Sequence, residues 1–201
     1  IPVLKTHMHT GVSLSFKNMK GLIYKREKVK LHQLHVSEEI KQNYKELDIA
    51  ISDLYYVLKP DLAVIDATYA QEGMGPSAGE IKKIDTIISS TDFLAADITA
   101  LYLIQQNIDF APHLKLISEI IKGPSKINDI LTIPDDISGF IVNFKEPPKI
   151  ININYKNVNV YDMDSCSACL SSLFLFLKNN ESLINKYFNE YGLLNIGIGK
   201  N

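Results

Sequence analysis

The chain has 201 residues, 46% of them hydrophobic and 22% charged, with a formal net charge of −2. That balance suits a globular chain with its own core and excludes a disordered or low-complexity polymer. It offers no uniform positive field to recruit nucleic acid or an anionic membrane, and no apolar run has the length of a membrane span, so neither partner is expected. The two cysteines, Cys166 and Cys169, are too few for the disulfide framework of a secreted domain, and a cytoplasmic setting is expected.

In chain order, residues 1–4 read as the end of a buried strand, followed by a polar loop over 5–11. The spacing of Val12, Leu14, Phe16 and Met19 suggests a short helix over 12–20. A basic linker over 24–35 leads to Ser37, which is expected to cap a long helix. Its acids Glu38 and Glu39 fall in the first turn, its apolar stripe is Ile40, Tyr44, Leu47, Ile51, Leu54 and Leu58, and Pro60 stops it. Residues 62–66 read as a buried parallel strand. A glycine loop over 72–80 separates it from a second strand at 84–89. Asp92 should cap a helix reaching about Asn107, and Pro112 should start another to about Lys122, stopped by Gly123-Pro124.

From Ser125 the composition shifts toward Ile, Asn and Pro, and Pro147-Pro148 marks a boundary. A strand is expected within 150–163, helices over 165–177 and 181–191, and a closing strand over 193–198. Both ends look cut, since the chain opens in an apolar run without Met and stops just after the last strand. The expected architecture is α/β. It has a layered, mostly parallel sheet with flanking helices over 1–124 and a smaller C-terminal α/β segment over 125–201. Ligands in such sheets bind beyond the carboxyl ends of the strands, which directs attention to the loops after Leu4 and Asp66.

Three groups of residues could carry chemistry. Lys5, His7, His9, Lys17 and Asn18 combine point cations, a tunable acid–base and an amide, a set suited to a carboxylate or phosphate; the plainer alternative is a solvated loop. His7 and His9 are two apart, so an extended loop would put them on opposite sides. Lys17, Lys20, Lys25, Arg26, Lys28 and Lys30 form a basic run that could steer an anionic substrate or contact a phosphate backbone, but more often such a run is a solvated lid or linker.

The glycine loop frees N–H groups at Gly73, Gly75 and Gly79 for an anion, or is simply a tight turn; it has neither the dinucleotide fingerprint nor a P-loop ending. Asp66 ends a buried strand, and Asp97 lies in a helix apolar nearly all round, where a carboxylate needs a partner. Cys166 and Cys169 share one face at a helix start, where thiolate is favoured. They could be a redox pair, ligands of a thiophilic metal, or two small buried residues.

The motifs Pro2-Val3-Leu4-Lys5-Thr6-His7, Leu14-Ser15-Phe16-Lys17-Asn18-Met19-Lys20-Gly21, Lys28-Val29-Lys30-Leu31-His32, Pro60-Asp61-Leu62-Ala63-Val64-Ile65-Asp66, Glu72-Gly73-Met74-Gly75-Pro76 with Gly79, and Thr91-Asp92-Phe93-Leu94-Ala95-Ala96-Asp97 occur in this order. Together they resemble the family of domain of unknown function 362, from Ile1 to about Lys122. The resemblance implies an α/β domain, often accompanied by ferredoxin-type cluster segments. It points to Lys5, His7, Lys17, Asn18, Asp66, Gly75 and Asp97 as the residues to examine, and implies no particular reaction. The four-cysteine run of a cluster segment is missing here; the Cys166/Cys169 region is similar to the cysteine-bearing tail of some members.

The leading expectation is a redox-associated protein that binds a small anionic ligand. His7, Lys17 and Asp97 would be its catalytic groups, with Lys5, Asn18, Asp66 and the loop glycines as binding groups. Cys166 and Cys169 would ligate an iron–sulfur cluster of the 4Fe-4S type, or another thiophilic metal, in the full-length protein, beside a ferredoxin-type domain or partner. The alternatives are a non-redox enzyme with a divalent metal on Asp66 and Asp97, or a non-catalytic binding module.

Overall fold

A computed structural model of the chain describes residues 1–31, 34, 36, 37, 39, 44–147, 157–163 and 165–199. Strand β1 (Val3–His7) shows the period of two expected of a strand: Leu4 and Thr6 are buried on the core face, while Val3, Lys5 and His7 look the other way. A tight turn through Thr10 reverses the chain into β2 (Gly11–Ser13), which pairs antiparallel with β1. The helix expected over 12–20 is therefore corrected. Val12, Leu14 and Phe16 are all fully buried at alternate positions, a strand-like spacing, and helix begins only with α1 (Ser15–Asn18) and a following 3-10 turn (Met19–Leu22).

Short α2 (Glu27–Lys30) precedes α3 (Glu46–Asp53), which ends in a 3-10 turn over Leu54–Tyr56. The single helix expected over 37–58 is corrected: Tyr44 and Lys45 are not helical, Lys45 is extended and opens a new helix at Glu46, and Glu38 and Ile40 lie outside the described residues. Strand β3 (Ala63–Glu72) and strand β4 (Glu80–Ser90) are both longer than expected and form an antiparallel hairpin closed by the glycine loop. The four-stranded sheet has the order β2-β1-β3-β4, and only the β1–β3 pair in it is parallel. The α/β class holds; the mostly parallel sheet does not. A loop of seven residues links adjacent strands directly, whereas a parallel neighbour needs a crossover of a dozen residues or more.

Helix α4 (Phe93–Leu103) starts as expected, with the Asp92 carboxylate accepting from the N–H groups of Leu94 at 2.8 Å and Ala95 at 3.2 Å. Helix α5 (Pro112–Ile121) opens on its proline and ends in left-handed Lys122. These helices and α3 cover one face of the sheet around Leu14, Phe16, Ile65, Leu94, Leu101 and Leu114. Residues as far on as Phe144 pack against this core.

Strand β5 (Val158–Met163), helices α6 (Ser167–Asn179) and α7 (Glu181–Tyr191) and strand β6 (Leu194–Gly199) form a second unit. Its two strands pair in parallel around a small core of Val158, Leu177 and Ile184. The part of the strand expected over 150–156 lies outside the described residues.

Candidate functional site

Val3, Lys5 and His7 on the outward face of β1 form the floor of a cleft of about 480 Å³, within the usual range for small-ligand sites. Lys17 and Asn18 come from α1, Lys20 from the turn after it, Lys28 from α2, Pro76 from the glycine loop, and Cys166 and Ser167 from the start of α6. The structure therefore brings together Lys5, His7, Lys17 and Asn18, as the sequence suggested, and adds Cys166 from a distant segment.

The imidazole of His7 is buried. The backbone N–H groups of His9 and Thr10 point at its Nδ1 from 3.3 and 3.4 Å, which makes that nitrogen the acceptor and puts the proton on Nε2. Nε2 lies 3.2 Å from the Ser167 hydroxyl, so His7 faces the cleft mouth as a donor. The loop turns sharply enough to set the His9 ring 6.4 Å from that of His7, edge to face. Burial and then Lys45 hold His9 below its ordinary range.

Lys17 is buried to 8% exposure, and its Nζ donates to the Ser13 hydroxyl at 2.8 Å. Burial first, then Lys20 and Lys5, hold its ammonium well below the ordinary lysine range. Burial and Lys28 likewise lower Lys20.

Asp97 is absent from the cleft lining and holds one wall in place. Fully buried on α4, it accepts from the Ser15 N–H at 2.8 Å, the Ser15 hydroxyl at 2.6 Å and the Phe16 N–H at 3.1 Å. These donors open the helix that carries Lys17 and Asn18. Burial pushes the carboxyl up to about 7 against their pull. Asp66 stands in register with Val3 on the same sheet face yet outside the lining, its carboxylate accepting from the Thr68 N–H at 2.8 Å. That hydrogen bond holds it below the ordinary carboxylate range.

Two of the loop glycines allow close packing, Gly75 against β1 and Gly79 against β3. A Cβ on Gly75 would overlap the Thr6 carbonyl, and one on Gly79 would overlap Glu72. Gly75 also accepts the Met8 N–H at 3.2 Å, and the Thr6 hydroxyl donates to the Gly73 carbonyl at 2.8 Å. Of this loop, Pro76 reaches the cleft.

Cys166 caps α6 and faces the cleft, with its sulfur 3.3 Å from that of Cys169 one turn on. Burial pushes the Cys166 thiol up, but hydrogen bonds from Cys169 and the Ala168 N–H outweigh it, and the net direction is down. Cys169 moves up, mainly through its hydrogen bond with Cys166. Cys166 on the cleft is thus the more thiolate-prone sulfur of the pair, and Cys169 on the surface the less.

A four-thiolate cluster needs twice the cysteines this chain has, and the described residues contain no group of three or more His, Cys, Asp or Glu placed to hold a metal. The pair fits half of such a site. Lys20, Lys28, Ser13 and Ser167 were not singled out by the sequence as site residues, although Ser167 lies inside the C-x-x-C signal itself. A second cleft, of about 410 Å³, lies between β4, α4 and residues 130–140; it has no titratable lining. Among the described residues, no helix is long and apolar enough to cross a membrane.

The thylakoid-associated protein sll1697 of Synechocystis sp. is 24% identical over 105 residues, which cover 52% of this chain and 31% of that protein. No solved structure matches. The model of the family described as a domain of unknown function (DUF362) matches residues 1–102, just over half the chain and the stretch that supplies the lysines, His7 and Asp97. The chain belongs to that family.

Proposed function

We propose that this protein binds a small anionic ligand in the β1–α1 cleft and uses the thiol pair at its mouth for redox chemistry. The observation that carries the reading is the lining itself, in which four lysines, a donor histidine and a thiolate-prone cysteine share one concave surface. Lys5, Lys20 and Lys28 supply positive charge, and His7 offers Nε2–H as donor or general acid. Cys166 would act as the reacting sulfur and Cys169 as the one that closes on it; two thiols becoming a disulfide release two electrons and two protons. A ferredoxin-type domain or partner would take the electrons singly. In a longer chain the same sulfurs would instead give two ligands to an iron–sulfur cluster whose remaining ligands lie elsewhere. Either role needs free thiols and favours a reducing compartment such as the cytoplasm.

Calorimetry with oxalate and inorganic phosphate tests the reading, run on dithiol and disulfide forms and on a Lys5→Ala/Lys20→Ala variant. Binding that weakens with salt, is lost in the variant and differs between the two sulfur states is expected. No binding at millimolar probe would overturn it. Anaerobic purification with iron and sulfide analysis, beside a Cys166→Ser/Cys169→Ser control, separates the dithiol role from the cluster role.

A further inference from the structure

Lys17 is set apart from the other lysines of the cleft. Lys28 is exposed, while Lys17 is buried in the cleft wall. Its Nζ donates to the hydroxyl of Ser13. The charged groups that bear on it are Lys20, Lys5 and, more weakly, Asp48. A lysine meant to hold an anion by charge is better left hydrated, or paired with a carboxylate that keeps it protonated. A lysine buried beside other cations gives up its proton more readily than a hydrated one, and the free amine is a nucleophile.

We propose that Lys17 forms an imine with a 2-oxo carboxylate whose carboxylate group is held by Lys5 and Lys20. The inference rests on the anion-binding reading of the cleft and names the ligand class. The Nζ lone pair attacks the carbonyl carbon and a C–N bond forms. The carbonyl oxygen then leaves as water, carrying the two amine hydrogens. Amine plus carbonyl gives imine plus water, with no electron gained or lost and no further reactant required. The Ser13 hydroxyl accepts one Nζ hydrogen and holds the amine in the cleft wall. The imine carbon is then open to attack by a nucleophile, and Cys166 lines the same cleft.

The experiment is reductive trapping on the full chain, with glyoxylate as probe and cyanoborohydride as reductant, read by intact mass and peptide mapping. An ordinary lysine is a free amine in roughly one molecule in 2,500 at pH 7, so its labelling should rise steeply toward pH 9. Lys17 should label at pH 7 at least tenfold faster than any other lysine, rise less steeply than they do toward pH 9, and be protected by oxalate, which fills the carboxylate site but has no aldehyde or ketone carbonyl. Lys17→Met and Lys17→Arg should both lose the fast adduct while keeping the fold by circular dichroism. If either fails to fold, oxalate protection and site mapping on the native chain still decide. Adducts spread over surface lysines, or no adduct while oxalate still binds by calorimetry, would overturn the imine and leave the anion site standing. No adduct and no oxalate binding would remove both.

Discussion

Leu4, Phe16, Ile65, Leu94 and Leu101 sit in one contiguous core beneath β1–β4, whereas the unit that carries Cys166 and Cys169 closes around Val158, Leu177 and Ile184. The cleft lies between these two regions. Its lysine wall is fixed to the large core through α1 and Asp97, and its sulfur wall to a core a fraction of that size. Local stability follows buried apolar contact, so the two walls should open at different free energies. A cationic floor on the large core and a thiol wall on the small one would let the proposed ligand enter by displacing the wall alone.

The sharpest attempt to break this comparison is Phe16→Ala. Phe16 is fully buried, and its ring lies 4.6 Å from that of Phe93. Its truncation should cost about 3–5 kcal/mol in urea unfolding. It should also loosen α1, so that Lys17 loses its burial. A loss below about 1 kcal/mol would mean that the large core does not hold this wall.

Leu177→Ala is the matching change in the small core, where Leu177 is fully buried. A cost of about 2–4 kcal/mol is expected. That should exceed what this unit holds locally, so amide hydrogens of α6 and α7 should exchange freely while those of β1, β3 and β4 stay protected. Uniform loss of protection across both regions would show that they unfold as one.

Asp97 tests how the large core positions the site. Its carboxyl is raised from 3.8 to about 7 by burial, so the folded state binds that proton more tightly than the unfolded chain. Stability from this group is therefore greatest below about pH 4, declines as pH climbs through the interval, and levels off above 7. The full span is on the order of 4 kcal/mol. His9 and His113, both held below 6.5 chiefly by burial, act in the opposite sense over part of the same range. The contrast with Asp97→Asn isolates the carboxyl. The variant should lose about 1–3 kcal/mol at pH 5, because its NH₂ must face one of the Ser15 or Phe16 donors, and the decline between pH 5 and pH 8 should flatten. An unchanged slope in unfolding midpoints would remove Asp97 from this role.

Which of these features could be read in advance follows from how far apart the interacting residues lie. Asp92, Pro112 and the 181–191 helix were legible because caps and helical spacing act within a few residues. The Lys5, His7, Lys17 and Asn18 group was legible because a strand, a turn and one short helix carry all of it. The sheet was misread because residues 62–66 look apolar on both sides, while Val64 and Asp66 are half-exposed and the neighbour of β3 is set by a hairpin loop and a bulge between Ala67 and Tyr69. The sequence marks Asp97 as a buried acid in need of a partner, without saying whether that partner is a lysine or a loop N–H. Its actual partners are N–H and hydroxyl groups 81 and 82 residues away. Cys166 was marked for its spacing alone; nothing local says that it faces Lys5.

The smallest expected effect is the most direct probe of the join between the regions. Ser167, buried at the first position of α6, sets its hydroxyl 3.2 Å from His7 Nε2, across 160 residues of sequence. Ser167→Ala should cost about 1 kcal/mol, the ordinary worth of a hydrogen bond of this kind. Its value lies in where that loss appears. If the sulfur wall is the displaceable one, weakening its polar tie to β1 should leave the protection of β1–β4 unchanged, raise exchange at the start of α6, and speed alkylation of Cys166 by a factor of about 5, the equivalent of that free energy. Equal loosening of β1 would mean that His7 is held from the α6 side and that the cationic floor is not self-supporting.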